Sequence, residues 1–498
     1  MVHDKHGNPV TNLKQEDFVL KDEGKSQQIK LFVNSEAEVS GSASSAQPPN
    51  IFSNRRGRGA GTTPAVAIVL FDVLNTRVAD QVAAKEQLLA YLGTIHRDDR
   101  VALYVLGRDL VVLHDFTDDA AHLAHTLENL HVRIPSELQS SLEIPLPGGP
   151  GFPGDLDHLA DESNRRTARV NEFESSERAR LTISAMQSIA NHVAFIPGRK
   201  SLVWLSSSFP FALNPVSIPP PPRSRSIGLI APAASPVLFA DEIRSAVRAV
   251  NQAGLAIYPV DSGGMSVRGI TSSSGEFETM DLLAGGTGGV AYRNTNDLTR
   301  AVQQAVDDGR VSYTLGFYPQ ADSWDGKFHS ISVAVKRPGI EIRCAKDYLA
   351  ANDAASSSAE RIQQRIGSAL LSPLDSTVIG MRAGIEAVDR PAPGNVRVVL
   401  QIEPADLTLM ESGGHWTGSI EYVLMEQKAD GTPLQTTNEE LSIDLTKERH
   451  DAILQRGFLL TRYLRPSPDG YRLRAVVLDH PTGNLGSVSI PLDGVIKH

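Results

Sequence analysis

An acid and two further polar side chains follow an apolar run in the stretch AVAIVLFDVLNT, residues 65–76. The run is typical of a buried strand, and Asp72, Asn75 and Thr76 would then lie together at its carboxyl end. Carboxylate and hydroxyl oxygens are preferred ligands of hard cations such as Mg²⁺ and Ca²⁺. The same residue types also form ordinary turns. The pattern therefore predicts either a cation site or a plain turn.

Three further motifs contain residue types that could perform chemistry. Ser262 follows a strand in VDSGGMS and could act as a nucleophile, but no His–Asp pair can be assigned to it from the sequence. The glycines of AGGTGG, 284–289, lack the lysine of a phosphate-binding loop, and we interpret them as a helix-to-strand turn. His122 and His125 lie one helical turn apart without a third ligand, which favours surface histidines over a metal site.

The composition excludes several classes of protein. The 498 residues carry a formal net charge of -10, whereas a nucleic-acid surface requires clustered lysine and arginine. Cys344 is the only cysteine, so neither an internal disulfide nor a thiolate zinc site can form. No window approaches about 18 consecutive apolar residues, so we predict no transmembrane helix. The length predicts a globular protein of several domains.

Strands and helices alternate from residue 65 onward, and the strands are apolar throughout. This alternation predicts a mostly parallel sheet with helices on both faces. The hairpin at 100–116 is expected to add one antiparallel edge strand. The α/β domain is assigned to 65–324, and its last strand is predicted at 312–319. Two proline-rich insertions, 134–170 and 209–236, are assigned to surface loops.

Additional β structure is predicted on both sides of the α/β domain. Residues 1–35 form an N-terminal β unit with a hairpin around DEGK, and pairing with 325–348 is one arrangement for it. Residues 36–64 are rich in Ser, Ala, Gly and Pro, which predicts a flexible linker. A β hairpin is predicted at 325–350. Residues 351–498 hold a helix followed by six or seven strands, which predicts a C-terminal β-sandwich of immunoglobulin-like type.

The order of the motifs resembles a known family. The matching stretches are LFDVLNT, PGRKSLVWLSSSF, AGLAIYPVD, LLAGGTGGVAYRNTNDL, YTLGFYP and GKFHSISVAVKRPGIEIRCAKDY. With the N-terminal hairpin, they resemble the von Willebrand factor type A (VWFA)-related proteins of Acidobacteria over about residues 2–349. The resemblance implies that the α/β domain is a Rossmann-like von Willebrand factor type A domain.

The wider family holds a divalent ion with residues from three loops, and the ion recruits an acidic group of a protein ligand. The resemblance assigns Asp72 and Thr76 to the first loop, Thr182 to the second and Ser207 to the third. Leu74 stands where the family has a serine, and Ser207 where it usually has an aspartate. The resemblance thus implies a degenerate metal-ion-dependent adhesion site, for which Mg²⁺, Ca²⁺ and Mn²⁺ are the candidate ions.

The preferred hypothesis is a non-catalytic protein-binding or adhesion module. Its protein partner would bind at the carboxyl edge of the sheet, where Asn75, Phe209 and Phe211 are predicted to form the rim. Two alternatives stay open: a metal-assisted hydrolase that uses Asp72 or Ser262, and a metal-independent structural scaffold. The identity of the partner and the oligomeric state are left open.

The cellular compartment is the least constrained property. The N-terminal stretch MVHDKHGNPVTNLKQEDF lacks the apolar segment of a signal peptide. Related proteins often carry a secretion signal, and a truncated start is one explanation for its absence here. An extracytoplasmic or secreted location is therefore the expectation.

Overall fold

The computed structural model describes most of the chain. The described residues are 1–5, 8–36, 51–55, 66–93, 100–117, 119–130, 154–196, 198–208, 240–262, 274–293, 298–319, 327–350, 359–388 and 395–492. The helices in these ranges are α1 Val78–Leu92, α2 Ala120–Glu128, α3 Gly154–Val193, α4 Ala240–Gln252, α5 Ser274–Thr287, α6 Leu298–Arg310, α7 Ala359–Leu371 and α8 Lys447–Arg456.

The strands are numbered in chain order. They are β1 Val2–Asp4, β2 Phe18–Asp22, β3 Lys25–Gln27, β4 Leu31–Glu36, β5 Ile51–Ser53, β6 Val66–Asp72, β7 Arg100–Leu106, β8 Leu110–Thr117, β9 Lys200–Ser206, β10 Leu255–Asp261, β11 Val311–Gly316, β12 Phe328–Val335, β13 Ile340–Ile342, β14 Asp347–Leu349, β15 Met381–Val388, β16 Asn395–Ile402, β17 Met410–Ser412, β18 His415–Gln427, β19 Pro433–Thr446, β20 Phe458–Leu464, β21 Arg472–Asp479 and β22 Leu485–Pro491.

A five-stranded sheet in the order β10-β9-β6-β7-β8 forms the centre of the α/β region. Its strands are parallel except for β8, which pairs antiparallel with β7 at the edge. Helices α3, α4 and α5 pack on the face that contains Ile68 and Leu70. Helices α1, α2 and α6 pack on the face that contains Val69 and Phe71. Both faces are therefore buried, which explains the uninterrupted apolar strands and confirms the prediction of a mixed α/β fold.

The strand order reverses between β6 and β9. From β6 the chain proceeds outward through β7 to β8, and β9 and β10 are added on the other side of β6. The segments that follow β6 and β9 consequently leave the sheet in different directions. In open α/β sheets a crevice forms at the carboxyl ends of the strands at such a point, and ligands bind there.

The strand predicted at 312–319 does not belong to the central sheet. It is β11, and it pairs antiparallel with β4 of the N-terminal region. Tyr313 on β11 packs against Phe18 and Phe32, with ring centroids 5.3 and 6.0 Å away. The physical reason is that Tyr313 and Leu315, two positions apart on β11, place partly buried side chains on the apolar cluster of the N-terminal region.

The remaining N-terminal strands pair with strands that follow the α/β region. Strand β2 forms a hairpin with β3 and pairs on its other side with β12. The hairpin turn contains Glu23 and Gly24, both at positive φ, as in a two-residue turn of the type that joins tight hairpins. Strand β1 pairs with β13. Residues more than 300 positions apart thus form one β region.

Part of the predicted linker 36–64 is ordered β structure. Residues 51–53 form β5, which pairs antiparallel with β15. The Asn54 amide donates to the carbonyl oxygens of Ser376 at 2.7 Å and Ile379 at 2.8 Å. The prediction of a flexible linker was wrong here because polar composition concealed the short apolar pair Ile51–Phe52, whose phenyl ring packs on the C-terminal core.

One of the two predicted insertions is partly helical. Helix α3 begins at Gly154, so the later part of 134–170 belongs to a 40-residue helix and not to a loop. The earlier part of that insertion, and the whole of 209–236, lie outside the described residues.

The C-terminal region contains two antiparallel sheets that share one apolar core. One sheet has the order β5-β15-β16-β20. The other has β19, β18, β21 and β22 in succession, with the short β17 also paired to β18. Helix α7 packs through Ile366 and Leu370 on the opposite face of the second sheet. Strand β5, which precedes the α/β domain in sequence, forms the edge of the first sheet.

The last turn of α3 contacts the C-terminal region directly. The Thr377 hydroxyl donates to the carbonyl oxygen of His192 at 2.8 Å and accepts from the Phe195 amide at 3.1 Å. The His192 ring donates from Nδ1 to the Asp375 carbonyl at 2.8 Å, and its Nε2 lies 3.5 Å from Asp115 Oδ1 on β8. Burial opposes the charged imidazolium, but the Asp115 carboxylate and the Asp375 carbonyl outweigh it and raise the pKa of His192.

We expect the stability of the chain to depend on pH through His192. A group with a raised pKa in the folded state contributes stability below its unfolded pKa of about 6.5, and this contribution is lost as the pH rises through the folded pKa. The substitution His192→Gln should therefore lower the free energy of unfolding more at about pH 5.5 than at about pH 9. Urea unfolding at both pH values measures this difference.

The exposed His122 on α2 supplies the matched control. As a substitution of an exposed side chain, His122→Gln should change the free energy of unfolding by no more than about 0.5 kcal/mol. An equal loss for His192→Gln at both pH values would contradict a charged His192 at this junction.

Candidate functional site

The polar residues predicted from the sequence meet at the carboxyl edge of the central sheet. Asp72 is the last residue of β6, and Ser207 directly follows β9. Thr182 lies on α3, which covers the same face of the sheet. Asp72 and Thr182 are 0% exposed. The structure thus brings together residues from three segments, and it buries them.

The Asp72 carboxylate accepts three N–H groups. Its Oδ1 accepts the Asn75 backbone amide at 3.0 Å. Its Oδ2 accepts the Asn75 side-chain amide at 2.8 Å and the Trp204 indole at 2.9 Å. The Asn75 Nδ2 also donates to Thr182 Oγ1 at 2.9 Å, and Thr182 Oγ1 donates to the Arg178 carbonyl at 2.8 Å. We call Asp72, Asn75, Thr182 and Trp204 the Asp72 network.

Thr76 and Ser207 fix the loop that joins β6 to α1. The Thr76 hydroxyl donates to the Asp72 carbonyl and accepts from the Ser207 amide at 3.3 Å. Ser207 Oγ accepts from the Arg77 amide at 3.0 Å, just before α1 begins. Through these bonds to main-chain groups, the two hydroxyls hold the backbone of the loop in place.

Two residues of the site were missed by sequence reasoning. Trp204 is a core residue, and its indole N–H is also a donor to Asp72. Ser206, the last residue of β9, lies near Asp72 and helps to lower the pKa of its carboxyl. Strand alternation is the signal that could have found both, because residues 202, 204 and 206 of β9 share one face.

Burial dominates the electrostatics of Asp72. It raises the pKa of the carboxyl to about 6, while hydrogen bonds from Asn75 and Trp204 act in the opposite direction. Asp261, which ends β10, is another acid at this edge. Asp261 pairs with Ser206 on one side of β9, and β6, which ends at Asp72, pairs with the other side of β9. The Cα atoms of Asp261 and Asp72 are therefore two strand spacings apart, or roughly 10 Å.

The arrangement does not fit a Mg²⁺ or Ca²⁺ ion. Such an ion requires about six or more oxygen ligands around an accessible centre. Here the one carboxylate of the network is fully buried and already accepts three N–H groups. Leu74 is packed in the apolar cluster of α3. The described part of the chain contains no group of three or more His, Cys, Asp or Glu side chains that could hold a metal ion.

The predicted rim is only partly described by the structure. Asn75 is 4% exposed and belongs to the buried network, so it is not a rim residue. Phe209 and Phe211 lie outside the described residues. Arg77 directly follows Thr76, and its side chain is 58% exposed. Its guanidinium contacts the Asp80 carboxylate at 2.8 Å.

The other sequence motifs form no second site within the described ranges. Ser262 is 5% exposed, and its hydroxyl makes no hydrogen bond to a described residue, so none of the described residues is positioned as a base to activate it. The glycines at 284–289 lie at the end of α5, in agreement with a turn. His122 and His125 are on α2, and the His122 ring contacts that of His114 at 5.0 Å.

Comparisons with known proteins return only distant structural likenesses. Neither a protein-family model nor a curated protein matches the chain. An aerotolerance-related membrane protein from Bacteroides fragilis aligns at 13% identity and a TM-score of 0.26, over 49% of this chain and 99% of that chain. The vWF domain of the type V pili tip protein Mfa5 from Porphyromonas gingivalis aligns at 11% identity and a TM-score of 0.29, over 50% and 96%.

A longer fragment of the second protein aligns with more of the chain. Three N-terminal domains of Mfa5 align at 9% identity and a TM-score of 0.28, over 94% of this chain and 78% of that chain. With TM-scores this low, these likenesses support no conclusion about fold or function.

Proposed function

We propose that this chain is a non-catalytic protein-binding or adhesion module whose α/β domain is of the von Willebrand factor A type. The observation that carries the proposal is the place of the Asp72 network, between β6 and β9 at the carboxyl edge of the sheet. Ligands of open α/β sheets bind where the strand order reverses. A protein partner would dock on the loops that the network holds in position, with Arg77 as an exposed contact.

The chemistry of the network favours binding over catalysis. General acid–base catalysis requires a proton donor and a proton acceptor that can both reach the substrate. Asp72 is the only titratable group of the network, and it is fully buried beneath the loop that Thr76 and Ser207 fix. A hydrolase mechanism would need a second positioned group, and Asp261 is two strand spacings away, too far to exchange a proton directly with Asp72.

The accessory β regions suit a spacer role in an extracytoplasmic adhesin. The two C-terminal sheets share one core, which supports an immunoglobulin-like sandwich that holds the α/β domain away from an anchoring point. No helix in the described ranges combines the length and the apolar character needed to cross a membrane. These features belong to the same proposal, because an adhesion module needs both a binding edge and a rigid support.

A photo-crosslinking experiment tests the binding edge. A crosslinking residue is placed at Arg77 or, as control, at the exposed Arg382 on β15, and envelope extract of the source organism is added. We expect a saturable crosslink from position 77 that excess unlabelled protein removes, and no equivalent product from position 382. Arg77→Glu should weaken partner binding about tenfold, since a charge at an interface rim mainly changes the association rate.

Two results would contradict the proposal. One is equal labelling from both positions, which would indicate non-specific contact and leave a structural scaffold as the better interpretation. The other is turnover of ester, peptide or phosphate substrates that is lost in Asp72→Asn with the fold intact.

A further inference from the structure

The side-chain amide of Asn75 joins two residues, Asp72 and Thr182, that the family resemblance assigns to a metal site. Its Nδ2 donates to Asp72 Oδ2 at 2.8 Å and to Thr182 Oγ1 at 2.9 Å. Asp72 on β6 and Thr182 on α3 are residues more than 100 positions apart in sequence. Both N–H groups of one amide are therefore used to join the loop after β6 to α3.

The spacing around this nitrogen suits a hydrogen-bond donor and not an ion. Mg²⁺ binds oxygen at about 2.0–2.1 Å and Ca²⁺ at about 2.3–2.6 Å, whereas N–H···O bonds are about 2.7–3.2 Å long. The surrounding groups agree with this assignment. Trp204 supplies a further N–H to Asp72, and Leu74 fills apolar space where an additional oxygen ligand would be needed.

We propose that the Asn75 amide takes the place of the divalent ion, so that the binding edge is held by a hydrogen-bonded bridge and is independent of metal. The inference rests on the proposed function only in taking this edge as the binding surface. It specifies the regulation of that surface: divalent ions and chelators leave it unchanged, and its geometry is set by the internal contacts of Asn75.

The bridge also defines what a substitution at position 75 should do. In Asn75→Asp the donor N–H₂ becomes a carboxylate oxygen of the same size, which would face Asp72 Oδ2 without a proton between them. Two carboxylates at this distance repel each other unless a cation or a proton lies between them. The isosteric change should therefore convert an ion-independent site into one that divalent ions stabilise.

Thermal unfolding of the full chain tests the inference. Wild type, Asn75→Asp and Asn75→Ala are heated in EDTA and in millimolar Mg²⁺, Mn²⁺ or Ca²⁺, with Asn395→Asp on β16 as the matched control. We expect the Tm of wild type to be the same in EDTA and in each divalent ion, and we expect the same of the control Asn395→Asp. Asn75→Asp should have a Tm lower than wild type by roughly 4 °C or more in EDTA, and Mn²⁺ should restore part of the loss.

Several outcomes would overturn the inference. A wild-type Tm that rises with any of the three ions would show that the native site binds metal, and an Asn75→Asp variant as stable as wild type in EDTA would show that the amide bridge contributes nothing. If Asn75→Asp does not fold, Thr182→Val serves in its place. Thr182→Val should have a lower Tm than wild type, and divalent ions should not change that Tm. If ions raise the Tm of wild type but not that of Thr182→Val, the proposal is wrong.

The partner experiment separates this inference from the proposed function. Crosslinking from position 77 that persists in EDTA supports both. Crosslinking that EDTA abolishes overturns the ion-independent bridge and leaves the binding function standing. A wild-type Tm that ions do not change, together with no saturable crosslink, supports the bridge and contradicts the binding function.

Discussion

The substitution Gly289→Ala is expected to destabilise the α/β domain by about 3 kcal/mol or more. A Cβ at this position would lie 1.9 Å from the carbonyl oxygen of Ile257 on β10, and that backbone cannot move without disturbing the central sheet. Gly289 follows α5 and donates its amide to the Ala284 carbonyl at 2.8 Å. The glycine is therefore required by close approach of two backbones, at the turn where the chain returns to the sheet.

Gly286, three residues earlier, is the matched control. It lies within α5, and a Cβ added to it would have no atom of a neighbouring segment within 4 Å. Gly286→Ala should stabilise the chain by roughly 0.5–1 kcal/mol, because alanine has the higher helix propensity. Urea unfolding of both variants, followed by far-ultraviolet circular dichroism, gives the comparison. Equal effects of the two substitutions would contradict the close approach at Gly289.

The second large effect is expected from Arg474→Met in the C-terminal region. Arg474 is 1% exposed and lies on β21. Its guanidinium donates to the carbonyl oxygens of Ala369 and Leu374, to the hydroxyls of Ser487 and Ser489, and to the Asp375 carboxylate. Removal of the cation leaves these acceptors, including the fully buried Ser487 hydroxyl, without their donor, and breaking a buried ion pair typically costs about 3–5 kcal/mol.

The exposed Arg382 on β15 provides the control for Arg474. Arg382→Met should change the free energy of unfolding by no more than about 0.5 kcal/mol, as is usual for surface substitutions. A loss below about 1 kcal/mol for Arg474→Met would mean that methionine packs well enough to replace the network, as happens for some buried ion pairs. The urea midpoint and the slope of each transition distinguish lost stability from a change in cooperativity.

Arg474 also clarifies how α7 and the C-terminal sheets are joined to the rest of the chain. The acceptors Ala369 and Leu374 lie at and after the end of α7, and Asp375 precedes the segment that contacts the last turn of α3. Asp375, which accepts from His192, is therefore tied to the C-terminal core by this guanidinium, and the neighbouring Ser376 adds hydrogen bonds to Leu485 and Ser487. We expect substitutions at Arg474 to loosen this junction as well as the sheet.

The strand–helix alternation of the central region could be predicted from the sequence because it depends on local patterns. Strands β6 and β10 are apolar at every position but the last, and β9 is apolar over its central residues 202–205, and only a sheet covered on both faces buries such strands completely. The polar residues after β6 were predicted to gather at the sheet edge for the same reason, since parallel strands end at a common edge. Asp72, Thr76, Thr182 and Ser207 do come together there.

What the gathered residues do was decided only by the tertiary structure. The sequence contains Asn75 and Trp204, but nothing local indicates that their N–H groups would be donated to Asp72 or that Thr182 would accept the other amide hydrogen. Residue types suggested a cation site, whereas three-dimensional packing placed an amide between the oxygens. Burial then left no accessible face of the carboxylate for an ion.

Pairing between strands that are distant in sequence explains the other differences between the predicted and the observed fold. Residues 51–53 join β15 some 330 positions later, and β11 pairs with β4 instead of the central sheet. Each choice depends on which unsatisfied strand edge lies nearby in space, and no local window contains that information. The sequence by itself determined the type of the strands of the central sheet and the edge at which the polar residues meet. Only the tertiary structure decided their partners, because hydrogen bonds between distant segments form where packing brings donors and acceptors together.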